Sequence, residues 1–512
     1  MEKITEKIAL FELGTTSVRL TLAMVYDSEC FFVYKELTEN INIDEHIEGD
    51  GLVKSAKIKE VVMLLQMYKK ICEAEGVDRY LAVASNMLTN AKNYKSFVDE
   101  AGAGIALEFK VLSAQDEVDA VYTSVINTLD VPKGIIVNVS GHSTRIINYN
   151  RRVIIDSATI PFGSASLLAK CDNNIFKAIE TFKAELGNHA SFLSNMDLET
   201  TLVGVSGVFT SFGRISRKMK KINYDADHNF TTDAAAFGEV FTLIKGLDPE
   251  KRQKLKGISS QSSAQILCGM CIVEAVLQFS KLKNITVGCC YRNLGIIFKE
   301  AVPYTQERPV SDILSFCLET ISCRAGLDRK IAERHYALAL MLFKQLKVLH
   351  KLPRGYAKIL RIACSLYQIG QRTNCEGFER NNLWAILNAP FMGAAHREVV
   401  LAAFVSSFKR WEDFNLAEWV KYKELIGDEE IESVRKISTI LTIADALNIR
   451  NSDTVKDINC DILGDSVILK LVTETDTKVT KVDVKAANIE IFYAKKYSAE
   501  FAKAFKKNLE IL

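Results

Sequence analysis

The stretch GIIVNVSGHSTRIINYN, residues 134–150, decides how the chain is read. GIIV is one strand, RIINY is a second, and between them lies a turn built on Gly141, Ser143 and Thr144. Small residues in such a turn let backbone N–H groups approach an anion closely, so this unit is a candidate phosphate cradle. The turn also carries His142 and ends in Arg145, where a hydrolase would want carboxylates.

An equivalent unit lies nearer the N-terminus. KIALFEL (7–13) reads as a buried strand, GTTS as a tight turn and VRLTLAMVY as a second strand. Two strand–turn–strand units about 125 residues apart point to an internal duplication of one α/β fold. Between them come a helix ending at Gly76, the strand RYLAVAS, the helix YKSFVDEAGA and a helix that begins near Ser113. After the second unit, TTLVGVSGVFTSFGRI reads as strand, glycine turn and helix. NITVGCCYRNLGIIF closes the region near residue 300, with Cys289 and Cys290 placed in its strand.

From about residue 308 the pattern changes to nearly continuous helical periodicity. Alternation returns at 455 in DINCDILGDSVILKLVTETDTKVTKVDVK, followed by a last helix, YSAEFAKAFKKNL. At 512 residues the chain is too long for one core. With 48% hydrophobic and 25% charged residues it has ordinary globular composition. The 65 basic and 63 acidic groups nearly balance, so net charge does not identify a partner. Twelve scattered cysteines without a secreted-type framework suggest reduced thiols and a cytoplasmic location. No apolar run is long enough for a membrane span, and the N-terminus lacks a signal-peptide pattern.

Four features suit phosphate chemistry. In FELGTTSVRL, Gly14, Thr15, Thr16 and Ser17 offer donors, and Glu12 could hold a metal; the plain alternative is a Thr-rich hairpin. In SAQDEVDA, Glu117 could orient and deprotonate a water, or simply be an acid favoured at a helix start. The third is the opening stretch. The fourth is GVSGVF, with Ser206 and Gly207 at the turn. Cys268 and Cys271 have CxxC spacing but lie in an apolar helix and read as packed thiols. The basic run RISRKMKK (Arg214, Arg217, Lys218, Lys220, Lys221) reads as a solvated helix face, with guidance of a polyanion as the alternative.

Taken in order, FELGTTSVRL, LAVASNMLTNAKN, FKVLSAQDEVDAVY, GIIVNVSGHSTRII, TIPFGSASLL and GVSGVF resemble the exopolyphosphatase/guanosine-pentaphosphate phosphohydrolase family. That resemblance covers roughly residues 5–300 and implies an α/β plus all-α protein. It would have two actin/hexokinase-like lobes of ribonuclease-H fold (1–127 and 128–305) with a cleft between them. A helical HD-like domain (308–452) and a small α+β C-terminal domain (455–512) would follow. It further implies a catalytic role for Glu117, and phosphate contacts from Gly14, Thr15, Thr16, Ser17, Gly141, Ser143, Thr144, Ser206 and Gly207. Glu12 and Asn138 would hold magnesium.

Departures from the family pattern bear on activity. The family's Asp-x-Gly-Gly-Gly-Ser-Thr-Glu has Asn138 in place of its aspartate, and Arg145 in place of its glutamate. A phosphate-gripping arginine would fall on Thr89. Val208 stands where a threonine is usual. In the helical region His335 matches the first HD histidine, but the His-Asp pair has become Tyr367-Gln368 and later histidines have become Glu379 and Asn381. Arg145 puts a fixed positive charge at a metal-ligand position, which repels metal and attracts phosphate, and could itself stabilise transferred charge. The expected magnesium is therefore weakly bound or absent. The resemblance implies a hydrolase releasing orthophosphate from polyphosphate or guanosine pentaphosphate, or alternatively a degenerate member that binds such anions in a regulatory role. Neither nucleic acid nor membrane is an expected partner, and the helical half is compatible with a homodimer.

Overall fold

The computed structural model describes residues 3–27, 29–43, 51–258, 263, 265–473 and 487–512. They form two compact units, Glu2–Met219 with Asp227–Phe316, and Lys220–Ala226 with Cys317–Leu512.

The first unit contains two mixed sheets. One has β1 (Ile4–Leu13), β2 (Ser17–Tyr26), β3 (Phe31–Asn40), β4 (Arg79–Ala84) and β5 (Lys110–Val111), in the order β3-β2-β1-β4-β5. The other has β6 (Lys133–Val139), β7 (Thr144–Asn150), β8 (Val153–Ile160), β9 (Thr201–Val205), β10 (Phe230–Asp233) and β11 (Asn284–Gly288), in the order β10-β11-β9-β6-β7-β8. In each, an antiparallel meander of three strands is extended by parallel strands, β4 beside β1 and β9 beside β6. The repeated topology is the duplication expected from the two strand–turn–strand units, with β10 added at one edge of the second copy.

The central strands explain why the turns project from stable ground. In β1 the last six residues are all buried, as expected for a strand covered on both faces. Helix Ser55–Glu75 packs its apolar side on this sheet, with Ile58, Val61 and Leu65 in one core with Phe11, Leu20 and Leu22. It stops at Gly76, whose left-handed φ of 65° lets its N–H bond back to the helix. Helix Ala114–Ile126 packs beside the second sheet, with Val118, Val121 and Val125 against Ile136, Ile147 and Val203. Helix Arg292–Ala301 crosses it so closely that a Cβ on Gly295 would overlap the Ala120 carbonyl.

Two sequence readings need correction. Cys289 and Cys290 follow β11 in a connection and are not part of a strand. Arg217 is no solvated residue: it is buried, bonded to Asp227 at 2.5 Å and stacked over Phe230. The thiols of Cys268 and Cys271 are buried and unbridged.

In the second unit, helices Arg329–Gln345, Tyr356–Ser365, His396–Val405 and Ile431–Leu447 pack on one another. Helix Ile431–Leu447 also packs on helices Asn488–Lys495 and Ser498–Phe505. The small sheet has β12 (Val455–Leu463), β13 (Ser466–Thr473) and β14 (Asn508–Ile511), in that order. The alternation read over 474–486 lies outside the described residues. No helix among the described residues is long and apolar enough to cross a membrane.

Candidate active site

The β1–β2 turn closes with the Gly14 N–H donating to the Ser17 carbonyl at 2.9 Å. Ile41 and Ile43, just past β3, donate to the carbonyls of Thr16 and Thr15 and hold this tip in place. The β6–β7 turn closes in the same way, with the Ser140 N–H on the Ser143 carbonyl at 2.9 Å. The two tips face each other, since a Cβ on Gly141 would lie 3.0 Å from Thr16 Cγ2. Behind the second tip, Ser164 and Ala165 donate to the carbonyls of Ser140 and Gly141, and a Cβ on Gly163 would collide with those carbonyls. The third contribution is Ser206-Gly207, where β9 runs into helix Gly207–Met219 and presents a helix N-terminus. These pieces line one cavity of about 550 Å³, with Glu12, Ser85, Asn138, Arg145 and Arg292 also in its wall.

Glu117 lies behind that wall, 1% exposed. Its position follows from the helix start. Ser113 and Asp116 form a reciprocal capping box, at 3.0 and 2.8 Å, and the Ser113 hydrogen bonds hold the Asp116 carboxyl down to about 2. The next residue is thereby aimed inward. Glu117 Oε1 accepts from Ser85 Oγ at 2.9 Å and from Arg292 Nη1 at 2.6 Å, and Oε2 pairs with Arg145. Ser85 is brought there by its own N–H, which donates to the Leu13 carbonyl beside Glu12.

The arginines have separate origins. Arg145 stands on β7 directly across from Asn138 on β6, and its Nη1 donates to Asn138 Oδ1 at 3.3 Å. The Asn138 amide in turn donates to the Val205 carbonyl at 2.8 Å. Burial, and then the charge of Arg292, pull Arg145 down to about 10. Arg292 opens helix Arg292–Ala301, where the helix dipole disfavours a cation. Two carboxylates offset that: besides Glu117, Glu12 Oε1 accepts from Arg292 Nε at 3.1 Å. Three buried polar atoms in this region have no partner among the described residues, Glu12 Oε2, Arg145 Nε and Ser206 Oγ.

The structure thus gathers Glu12, Gly14, Thr15, Thr16, Ser17, Asn138, Gly141, Arg145, Ser206 and Gly207 around one cavity, with Glu117 immediately behind. Ser143 and Thr144 are not in its wall. Ser143 is buried with its Oγ 3.1 Å from that of Ser140, and Thr144 Oγ1 donates to the Phe162 carbonyl at 2.8 Å, so both side chains build the turn. Thr89 bonds its own short helix, through the Asn86 carbonyl at 2.7 Å. Ser85 and Arg292 were missed in the sequence. A basic residue opening a helix was the available signal for Arg292.

Residues 25–299 match the model of the Ppx/GppA phosphatase family. The chain belongs to that family. Its fold is shared with solved members: the Aquifex aeolicus Ppx/GppA protein is 21% identical, with a TM-score of 0.51 over 58% of this chain and 98% of that one. An exopolyphosphatase from Cytophaga hutchinsonii is 14% identical, also at 0.51, over 58% and 98%. As a Ppx/GppA protein the chain falls among phosphohydrolases, and the family match spans the β6–β7 turn, Ser206-Gly207, Glu117 and Arg292, while Glu12, the β1–β2 turn and Arg19 precede it.

In the helical unit, beyond the family match, His335 Nε2 donates to the Leu441 carbonyl at 3.0 Å and its ring meets Tyr367 edge-on. Lys409 Nζ lies 2.7 Å from Glu379 and 3.9 Å from Asp445, above the ring of Phe378. Asn381 reaches the Gly370 carbonyl. An ammonium group therefore stands among these acids, and no group of three His, Cys, Asp or Glu suited to a metal occurs among the described residues.

Proposed function

We propose that the protein binds the end of a polyphosphate-type anion, inorganic polyphosphate or guanosine pentaphosphate, in this cleft and hydrolyses its terminal phosphoanhydride in the cytoplasm. The observation that carries the reading is the meeting of two glycine turns and a helix N-terminus around one cavity backed by a buried carboxylate. Phosphoryl transfer asks a protein mainly for positioning and for neutralisation of the transferred charge. Gly14, Thr15, Thr16, Ser17, Gly141, Ser206 and Gly207 would cradle phosphate oxygens. Arg145 and Arg292 would neutralise them. Glu117 would take the proton of the attacking water, once a guanidinium has moved off one of its oxygens.

A second reading is favoured by that last requirement. Both oxygens of Glu117 are engaged, by Ser85, Arg292 and Arg145, and a carboxylate so held is a poor base. On this reading the protein is a regulatory binder with negligible turnover.

Magnesium does not fit the residues present. Glu12 is the sole acid among the described residues of the wall, against Arg19, Arg145 and Arg292. Asn138 Oδ1 already accepts from Arg145. No catalytic step is assigned to a metal here. For the helical unit we propose a packing or dimerising role, without phosphohydrolase chemistry.

The test is phosphate release from long-chain polyphosphate and from guanosine pentaphosphate, by the wild type and Glu117→Gln. Release by the wild type that is lost in the variant supports hydrolysis. Tight binding with no release in either supports the regulatory reading. Absence of both binding and release removes the two together.

A further inference from the structure

We infer that Arg145 and Arg292 supply the cation of this cleft, so that a phosphate chain binds it without divalent metal; this rests on the reading of the cleft as a phosphate site. Two guanidiniums carry the same charge as one magnesium ion, and here they are attached to the chain. They occupy all but one of the carboxylate and amide oxygens a metal would need. Arg292 takes Glu12 Oε1 and Glu117 Oε1, while Arg145 pairs with Glu117 Oε2 and takes Asn138 Oδ1, which leaves Glu12 Oε2 alone, too few for a hard cation. Magnesium demands near-octahedral oxygen coordination and sheds water reluctantly. Introducing it beside two fixed positive charges would cost Coulomb energy, because the two neighbouring carboxylates, Glu12 and Glu117, are already balanced by the two guanidiniums.

The same geometry tells what the guanidiniums do when a ligand arrives. Arg145 Nε and Ser206 Oγ are buried donors without a partner among the described residues, and an isolated buried donor carries a desolvation cost. Phosphate oxygens would satisfy both. Arg292, 22% exposed in its side chain, is the more accessible of the two arginines, against 7% for Arg145. It can turn toward a multiply charged anion, which competes with Glu117 for it through forked hydrogen bonds. Binding then loosens one of the contacts that restrain Glu117. The anion in effect displaces the cation from the base.

Calorimetric titration of the full chain with inorganic tripolyphosphate tests this, in EDTA and in excess magnesium. Binding in EDTA at least as tight as in magnesium is expected, because magnesium neutralises the free ligand. Arg145→Glu should weaken binding in EDTA by about tenfold or more, with magnesium restoring part of it. Binding of the wild type only when magnesium is present would overturn the inference while leaving the phosphate site standing. No binding in either buffer would remove the phosphate site itself, and the inference with it. The wild-type comparison needs no variant to fold.

Discussion

Arg292 donates to Glu117 at 2.6 Å and, from the same guanidinium, to Glu12 at 3.1 Å. One side chain thus ties the end of β1 to the helix that carries the candidate base. Truncating one member of a buried ion pair leaves the other charge uncompensated, which costs roughly 3–5 kcal/mol where burial is complete. Arg292 is partly exposed and Glu117 keeps Arg145, so Arg292→Met should cost less, about 1–3 kcal/mol. Urea unfolding of the wild type and variant measures it. An unchanged midpoint would mean that the bridge contributes nothing to the fold.

Helix Arg292–Ala301 and helix Ala114–Ile126 meet backbone to backbone at Gly295 and Ala120. Gly295→Ala should force the helices apart and destabilise the first unit by about 2–4 kcal/mol, while also disturbing Arg292 and Glu117. Gly187, in helix Ile175–His189, has open space around its missing Cβ. Gly187→Ala should therefore be neutral or stabilising by up to about 1 kcal/mol through helix propensity alone. Thermal unfolding of the two variants should move in opposite directions, or at least differ by several degrees.

This contrast shows where the sequence is legible. The turns at Gly14 and Gly141 stand out because strand alternation stops and small residues take over, both local signals. Glu117 stands out because a helix start with Ser113 and Asp116 has a recognisable pattern. Arg292 does not, because its partner Glu117 lies 175 residues away and nothing local to YRNLG encodes that meeting. Arg145 was legible as a charge at an unexpected place, but its partner was not. The string suggests phosphate, whereas the fold brings Glu117 to it first. Ser143 and Thr144 show a related limit: hydroxyl composition suits a phosphate cradle and a self-bonded turn equally well, and only the fold shows their side chains bonded to Ser140 and Phe162 within the turn.

His228 offers a test by pH. The Cys289 N–H donates to His228 Nδ1 at 3.2 Å, so Nε2 carries the proton and donates to the Thr128 carbonyl at 3.2 Å. The ring is held neutral on both sides. Burial pushes it down to about 4, from an ordinary 6.5. The folded pKa lies below the unfolded one, so the unfolded chain binds the extra proton first as pH falls. The stability due to the neutral ring is complete above about pH 6.5 and declines toward pH 4, by up to roughly 3 kcal/mol. His228→Gln can keep both hydrogen bonds without titrating. Denaturant curves at pH 7.5 and 4.5 should show the wild type losing more stability than the variant. Equal losses would show that this ring does not take part in acid destabilisation.

Lys409 tests the helical unit in the opposite sense of pH. Its ammonium lies 2.7 Å from Glu379 and 3.9 Å from Asp445. Burial raises Asp445, while His335 and Lys409 pull it back down. Lys409→Met would leave these acids without their nearest cation, at a cost of about 2–4 kcal/mol near neutral pH. Because Asp445 is already raised, removing the ammonium raises it further, and the folded variant then prefers the protonated acid. Its deficit relative to the wild type should shrink at pH 5 and grow toward pH 8, the range over which the unfolded carboxyl is fully ionised. Urea unfolding at the two pH values reads this directly. A deficit independent of pH would assign the role of Lys409 to its packing over Phe378 and Tyr367 rather than to its charge.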